Sequence, residues 1–151
     1  MSKTYQNILV AVDGSKSAEC AFKKACYIAI RNKATLNLVH VVDTRSFVSI
    51  EAYDGTIAQR AESYAKELLE EYKGTATNLG VENLNAIVEH GSPKTIIPKK
   101  TAKAVNADLI ICGATGLNAV ERLLIGSVSE HIMRSAECDV LVVRTDDDVT
   151  L

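Results

Sequence analysis

The chain has 151 residues, 47% of them apolar, and a formal net charge of −2. That length suffices for a single domain whose core needs neither metal nor disulfide staples, and that composition excludes disorder. A charge so near balance supplies no general attraction to nucleic acid or to an anionic membrane.

The four cysteines (Cys20, Cys26, Cys112 and Cys138) form no C-x-x-C pair and no metal-ligand spacing, so they read as reduced, packed thiols. Residues Met1 to Asn7 hold no apolar leader segment, and no run approaches the roughly 18 apolar residues of a membrane helix. The expectation is a soluble cytoplasmic protein.

Ile8-Leu9-Val10-Ala11-Val12 is short, apolar and rich in β-branched residues, which predicts a buried strand ending at Asp13-Gly14-Ser15. Ser15 or Ser17 can cap the next helix, whose apolar positions Ala18, Ala21, Phe22, Ala25, Ile28 and Ala29 recur at helical spacing. A second strand, Leu36 to Val42, closes at Asp43. The connection of roughly a dozen residues through Asp54-Gly55 is longer than usual, a mark of function or of mobility. Thr56-x-x-Gln59 is a capping box that opens a long helix with Ile57, Ala61, Tyr64, Ala65, Leu68 and Tyr72 on one face, ending before Gly80. The third strand, Leu84 to Glu89, alternates in part and so belongs near a sheet edge.

Ser92-Pro93 fits a cap with proline at the first helical position. Pro98 conflicts with that helix: it would leave the Lys94 carbonyl unpaired and cost about 3 kcal/mol unless the helix bends. Lys94, Lys99, Lys100 and Lys103 read as a solvated face. His40, His90 and His131 are scattered without metal spacing and read as structural. The fourth strand is Asp108 to Cys112. A helix from Ser127 to about Ser135 follows its loop, then a fifth strand, Val140 to Val143, and an acidic tail, Asp146-Asp147-Asp148. Five strands alternating with four helices predict a doubly wound α/β fold, a parallel sheet covered on both faces.

The chemistry gathers after the fourth strand. The apolar run ends on Gly113-x-x-Gly116, where a ligand could meet bare backbone. Gly126-Ser127-Val128-Ser129-Glu130 then reads as a helix start, with Ser127 and Glu130 spaced as a capping box. A helix N-terminus carries unpaired N–H groups and about half a positive charge, which suits a phosphate. The structural alternative is a tight turn followed by an ordinary cap. Asp13 likewise has two readings: an Asx-turn into the helix, or a carboxylate for a ribose hydroxyl, an amine or a phosphate-bound metal.

The combined spacing Gly-x2-Gly-x9-Gly-Ser resembles the signature of the universal stress protein family, in its ATP-binding branch. The resemblance runs from about Ile8 to Arg144 and includes Val10-Ala11-Val12-Asp13-Gly14-Ser15. It implies the adenine nucleotide alpha hydrolase-like fold with strand order 3-2-1-4-5, which puts Asp13 and the Gly113 loop on either side of the strand reversal, where such sheets bind ligands. It implies that Gly113, Gly116, Gly126 and Ser127 hold the phosphates, with Val128 and Ser129 contributing. It implies that Ala11, Val12 and Asp13 meet the adenosine end and that Val41 lines the base, largely through backbone; Cys112, ending the strand, joins this set. Family members carry more basic residues between the two motifs; residues 117–125 keep only Arg122.

The reading that follows is an ATP-binding stress or signalling module, with Mg or Mn held through the phosphates and no protein metal site. Neither a Walker G-x-x-x-x-G-K-[ST] nor a lysine in either phosphate loop is present, so at most slow ATP hydrolysis is expected. Alternatives are a nucleotide-free interaction module of the same family, a module for AMP or a cyclic nucleotide, and a phosphoacceptor receiver. The receiver needs an aspartate ending the third strand, where Glu89-His90-Gly91 stands instead. Replacing Gly113 or Gly116 by Val is expected to abolish nucleotide binding with little loss of fold. The fifth strand, an apolar edge, is expected to be covered in a homodimer.

Overall fold

Runs of Val, Ile and Leu too short for helices become strands, and each is followed by a segment at helical spacing that covers it. In the computed structural model, which describes residues 4–43, 56–114 and 125–145, the strands are β1 (Asn7–Ala11), β2 (Thr35–Val42), β3 (Asn83–His90), β4 (Leu109–Gly113) and β5 (Asp139–Val143). All pair in parallel in the order β3-β2-β1-β4-β5. This is the expected 3-2-1-4-5 order, and β3 lies at an edge as its alternation predicted. The long connection after Asp43, Gly116 and the acidic tail lie outside the described residues.

Helices α1 (Lys16–Asn32) and α2 (Thr56–Leu79) cover one face of the sheet. Phe22, Ala25, Ala29, Leu69 and Ala76 pack there against Ile8, Val10, Leu36 and Leu38. The Phe22 and Tyr72 rings meet edge-on with centroids 4.6 Å apart. Burying a side chain such as Phe22 contributes about 1.5–3 kcal/mol. Ser15 rather than Ser17 caps α1, its hydroxyl accepting the Ala18 N–H at 3.1 Å. The buried face of α2 is Ala65, Leu68, Leu69, Tyr72 and Ala76. Tyr64, expected on that face, remains 51% exposed. The helix stops at Gly80, whose N–H bonds to the Ala76 and Thr77 carbonyls.

The opposite face is covered by α3, residues 93–104, and α4 (Ser127–Ser135). Ile97, Ala102 and Ile132 pack there on Leu9, Val39 and Ile110. The conflict at Pro98 is resolved by geometry. After a first turn at Pro93–Thr95, residues Ile96–Thr101 form a π turn, in which the Ala102 N–H reaches back five residues to the Ile97 carbonyl. Inserting one extra residue widens the turn around a ring that has no N–H to give. The Ser92 side chain makes no cap bond; its carbonyl instead accepts from Thr95 and Ile96. Thr101, fully buried in this segment, leaves its hydroxyl without a partner.

Gly74 sits inside α2 with nothing within 4 Å of where a Cβ would stand. Gly74→Ala is therefore expected to raise stability by about 0.5–1 kcal/mol, read as a higher urea midpoint at unchanged slope. An unchanged or lower midpoint would contradict the open, helical setting assigned to this residue.

Candidate functional site

A crevice opens where β1 and β4 part. Their pairing ends at Val10 opposite Ile111, after which β1 continues beside β2 to Ala11–Val39 and β4 beside β5 to Gly113–Val143. The Val12 N–H still bonds to the Val39 carbonyl and the Ala114 N–H to the Val143 carbonyl, both at 2.9 Å. Two neighbouring strands thus leave in opposite directions, at the carboxyl ends where open sheets hold ligands.

One wall is the turn from Val12 to Ser15. The Ser15 N–H donates to Asp13 Oδ1 at 2.9 Å, so one carboxylate oxygen makes the Asx-turn considered above. Val12 is engaged within the chain at its N–H and again at its carbonyl, which bonds to His40 Nδ1 at 2.8 Å. Ala11 and Val41 are half-buried on the α3/α4 face of the sheet, the face that also buries Cys112. Burial pushes the Cys112 thiol up to about 11, opposed in part by the neighbouring Ser129 hydroxyl. Cys112 is thus a neutral, apolar part of the wall. Behind the turn, burial pushes Tyr72 up to about 12, helped by the charges of Asp13 and Glu19 and opposed by the Gly14 backbone.

The other wall is the end of β4 and the start of α4. Gly126 donates its N–H to the Ala114 carbonyl at 2.6 Å. The Ser129 hydroxyl donates to the Gly113 carbonyl at 2.7 Å and lies 3.2 Å from that of Ala114. These bonds seat the first turn of α4 on the carboxyl end of β4. Val128 is half-buried against the same apolar face.

Two expectations are corrected here. The Ser127–Glu130 capping box does not form. Gly126 is the N-cap, without a side-chain bond, and Ser127 is already the first helical residue, from which a hydroxyl no longer reaches the third N–H. Glu130 pairs with Arg134 at 2.8 Å instead. The first bond within α4 runs from the Glu130 N–H to the Gly126 carbonyl, so the N–H groups of residues 127–129 have no partner inside the helix.

The second correction concerns Gly113. A Cβ there would meet the Ser17 hydroxyl and lie 2.7 Å from the Ser17 carbonyl carbon and 2.8 Å from its oxygen. The glycine is needed for the close approach of α1 to β4, so enlarging it cannot leave the fold intact.

The structure therefore brings Ala11, Val12, Asp13 and Val41, from the ends of β1 and β2, to one rim and Cys112, Gly113 and Gly126 to Ser129 to the facing one; Gly116 lies outside the described residues. The N-termini of α1 and α4 both lie at this crevice, and each brings the partial positive charge of a helix start to it. Among the described residues, no three His, Cys, Asp or Glu side chains come together to hold a metal, and no helix is long and apolar enough to cross a membrane. Sequence reasoning weighed Ser17 only as a cap and missed its contact with Gly113, and it missed the bond from His40 to Val12. A polar residue interrupting the apolar strand Leu36 to Val42 was the available signal for the latter, but its partner is a backbone carbonyl, which leaves no trace in sequence.

A parallel sheet of this order, with helices on both faces and a crevice at its reversal, defines the class: an α/β module of the adenine nucleotide alpha hydrolase-like fold. Residues 4–144 match the model of the universal stress protein family. A Staphylococcus aureus (strain USA300) protein named as a universal stress protein is 55% identical over 144 residues, 95% of this chain and 87% of that one. Among solved structures, universal stress protein UspA from Lactobacillus plantarum superposes with a TM-score of 0.85 at 32% identity, covering 95% of this chain and 100% of that one. A universal stress protein solved in complex with cAMP superposes with a TM-score of 0.72 at 26% identity, covering 95% and 100%. The chain belongs to the universal stress protein family.

The Gly113 contact yields a direct test. Gly113→Ala is expected to cost about 3 kcal/mol, the upper end for overpacking, because backbone rather than a flexible side chain stands in the way. Urea unfolding measures it, and a loss below about 0.5 kcal/mol, the range of ordinary surface changes, would mean that α1 does not sit where described.

Proposed function

We propose that the crevice binds an adenine nucleotide, ATP in the first instance, and that the chain works as a cytoplasmic nucleotide-dependent stress or signalling module of one domain. The observation that carries this reading is the start of α4: a glycine cap and three N–H groups unused by the helix, facing the end of β4. Phosphate oxygens take such groups, favoured by the helix dipole. Gly113, Gly116, Gly126, Ser127, Val128 and Ser129 then form the phosphate side. Ala11, Val12, Asp13, Val41 and Cys112 form the adenosine side, with the free Asp13 oxygen directed to a ribose hydroxyl.

A Mg or Mn ion fits this site through the phosphates, since Asp13 is the one carboxylate that the described residues place on its rim. When bound, such an ion would offset phosphate charge. The cAMP complex of a related structure also favours a second reading, AMP or a cyclic nucleotide in place of ATP; each offers the same adenosine and at least one phosphate. Competition by AMP and cAMP against labelled ATP ranks them.

Because Ser127 does not cap α4, its hydroxyl is spare in the empty protein. Ser127→Ala is expected to change apo stability by less than about 0.5 kcal/mol. The same change is expected to weaken ATP by about 1.5–3 kcal/mol, the range for a hydrogen bond to a charged group. Adenosine, which has no phosphate, is expected to bind variant and parent alike in calorimetry. Equal losses for adenosine and ATP would overturn the phosphate role of Ser127.

We also propose a homodimer through β5. This edge strand leaves Val140, Leu141 and Val142 only half-buried within one chain, a pairing liability that a second copy removes. Light scattering at high micromolar concentration is expected to give twice 16.3 kDa; the monomer mass would refute the dimer.

A further inference from the structure

His40 lies on β2 with Leu36 and Leu38, on the sheet face opposite Val39 and Val41. Its Nδ1 stands 2.8 Å from the Val12 carbonyl oxygen. A carbonyl only accepts, so Nδ1 carries the proton in this contact. That carbonyl belongs to the peptide plane joining Val12 to Asp13, which is trans. Holding its oxygen therefore orients the whole plane: it turns the Asp13 N–H away from His40 and sets the direction in which the Asp13 side chain departs.

The histidine is itself held in place. The Tyr64 ring stands edge-on to it with centroids 6.1 Å apart, and the Tyr64 hydroxyl lies 2.8 Å from where a Gly14 Cβ would be. Gly14 keeps a φ of +83°, so the turn has a conformation that few other residues would hold. From the α1/α2 side, then, His40 and Tyr64 brace a turn whose other side faces the crevice.

We propose that His40 is a positioning residue for the adenosine end of the crevice: its Nδ1–H locks the Val12–Asp13 peptide and so presents Asp13 to the ligand. This rests on the nucleotide reading above. The side-chain amide of asparagine can place an N–H where Nδ1 stands, whereas that of glutamine, one methylene longer, and the side chain of leucine cannot.

The experiment measures adenosine and ATP affinity by calorimetry for the parent, His40→Asn, His40→Gln and His40→Leu. The His40→Asn variant is expected to bind both within about twofold of the parent. His40→Gln and His40→Leu are expected to lose about tenfold for both compounds, the size of one hydrogen bond. Equal loss for adenosine and ATP separates this effect from that of Ser127→Ala, which spares adenosine. Nitrogen-15 NMR of the folded parent reads the tautomer directly and needs no variant to fold; it is expected to show the proton on Nδ1. A proton only on Nε2 overturns the inference. So does parent-like binding by His40→Leu, or a loss in His40→Asn as large as in His40→Leu. A parent that takes up neither compound overturns the nucleotide reading and this inference with it; a parent that binds both while His40→Leu matches it overturns this inference alone.

Discussion

The crevice depends on one close approach, between the backbone of Ser17 and the bare Cα of Gly113. Helix α1 leaves β1 and crosses onto β4, and its first turn comes to rest where any side chain at position 113 would stand. Ser17 and Ala18 are buried by that contact. The contact brings the capped N-terminus of α1 beside the end of β4, although β1 and β4 have already parted after Val10 and Ile111. Had Gly113 carried a Cβ, α1 would ride higher on the sheet and the two rims would no longer face each other at this distance.

The second helix end is held by hydrogen bonds to carbonyls instead of by packing. The carbonyls of Gly113 and Ala114 lie past the last β1–β4 pair, where no strand on that side is left to satisfy them. The Ser129 hydroxyl and the Gly126 N–H do so. An unpaired buried carbonyl costs about 1–3 kcal/mol, so these bonds fix where α4 begins. They also keep Ser129, at the third helical position, from folding back on its own helix. The N–H groups of the first turn are left for something else, and an anion is the natural partner for such a helix end.

The same economy of backbone donors shapes α3. Pro98 withholds an N–H in mid-helix, and the chain answers by widening the turn over Ile96–Thr101 while keeping Ile97 and Ala102 against the sheet. The unpaired Thr101 hydroxyl lies buried in this wide turn. Packing outweighs regular hydrogen bonding here, because the apolar face of α3 covers the centre of the sheet and cannot rotate away from it.

Much of this molecule is legible in sequence because it follows from local pattern. The apolar runs at Ile8, Leu36, Leu84, Leu109 and Val140 are strands, Ser15 and Gly80 bound helices, and the partial alternation of the third strand marks an edge. The glycine and serine spacing after β4 placed the candidate site and, through family resemblance, the strand order. What sequence did not disclose concerns backbone partners and one-residue offsets. The helix begins at Ser127 as expected, but the Ser127–Glu130 spacing that suits a capping box is not used: the cap is Gly126, which bonds to the Ala114 carbonyl, and no side chain records that bond. Gly113 looked like room for a ligand, whereas part of its purpose is room for Ser17, almost a hundred residues earlier in the chain. His40 looked structural, and only the parallel pairing of β1 with β2 shows which carbonyl it holds. Local periodicity is set by neighbours in the chain; these contacts are set by which strands lie side by side, and that is decided when the whole core closes.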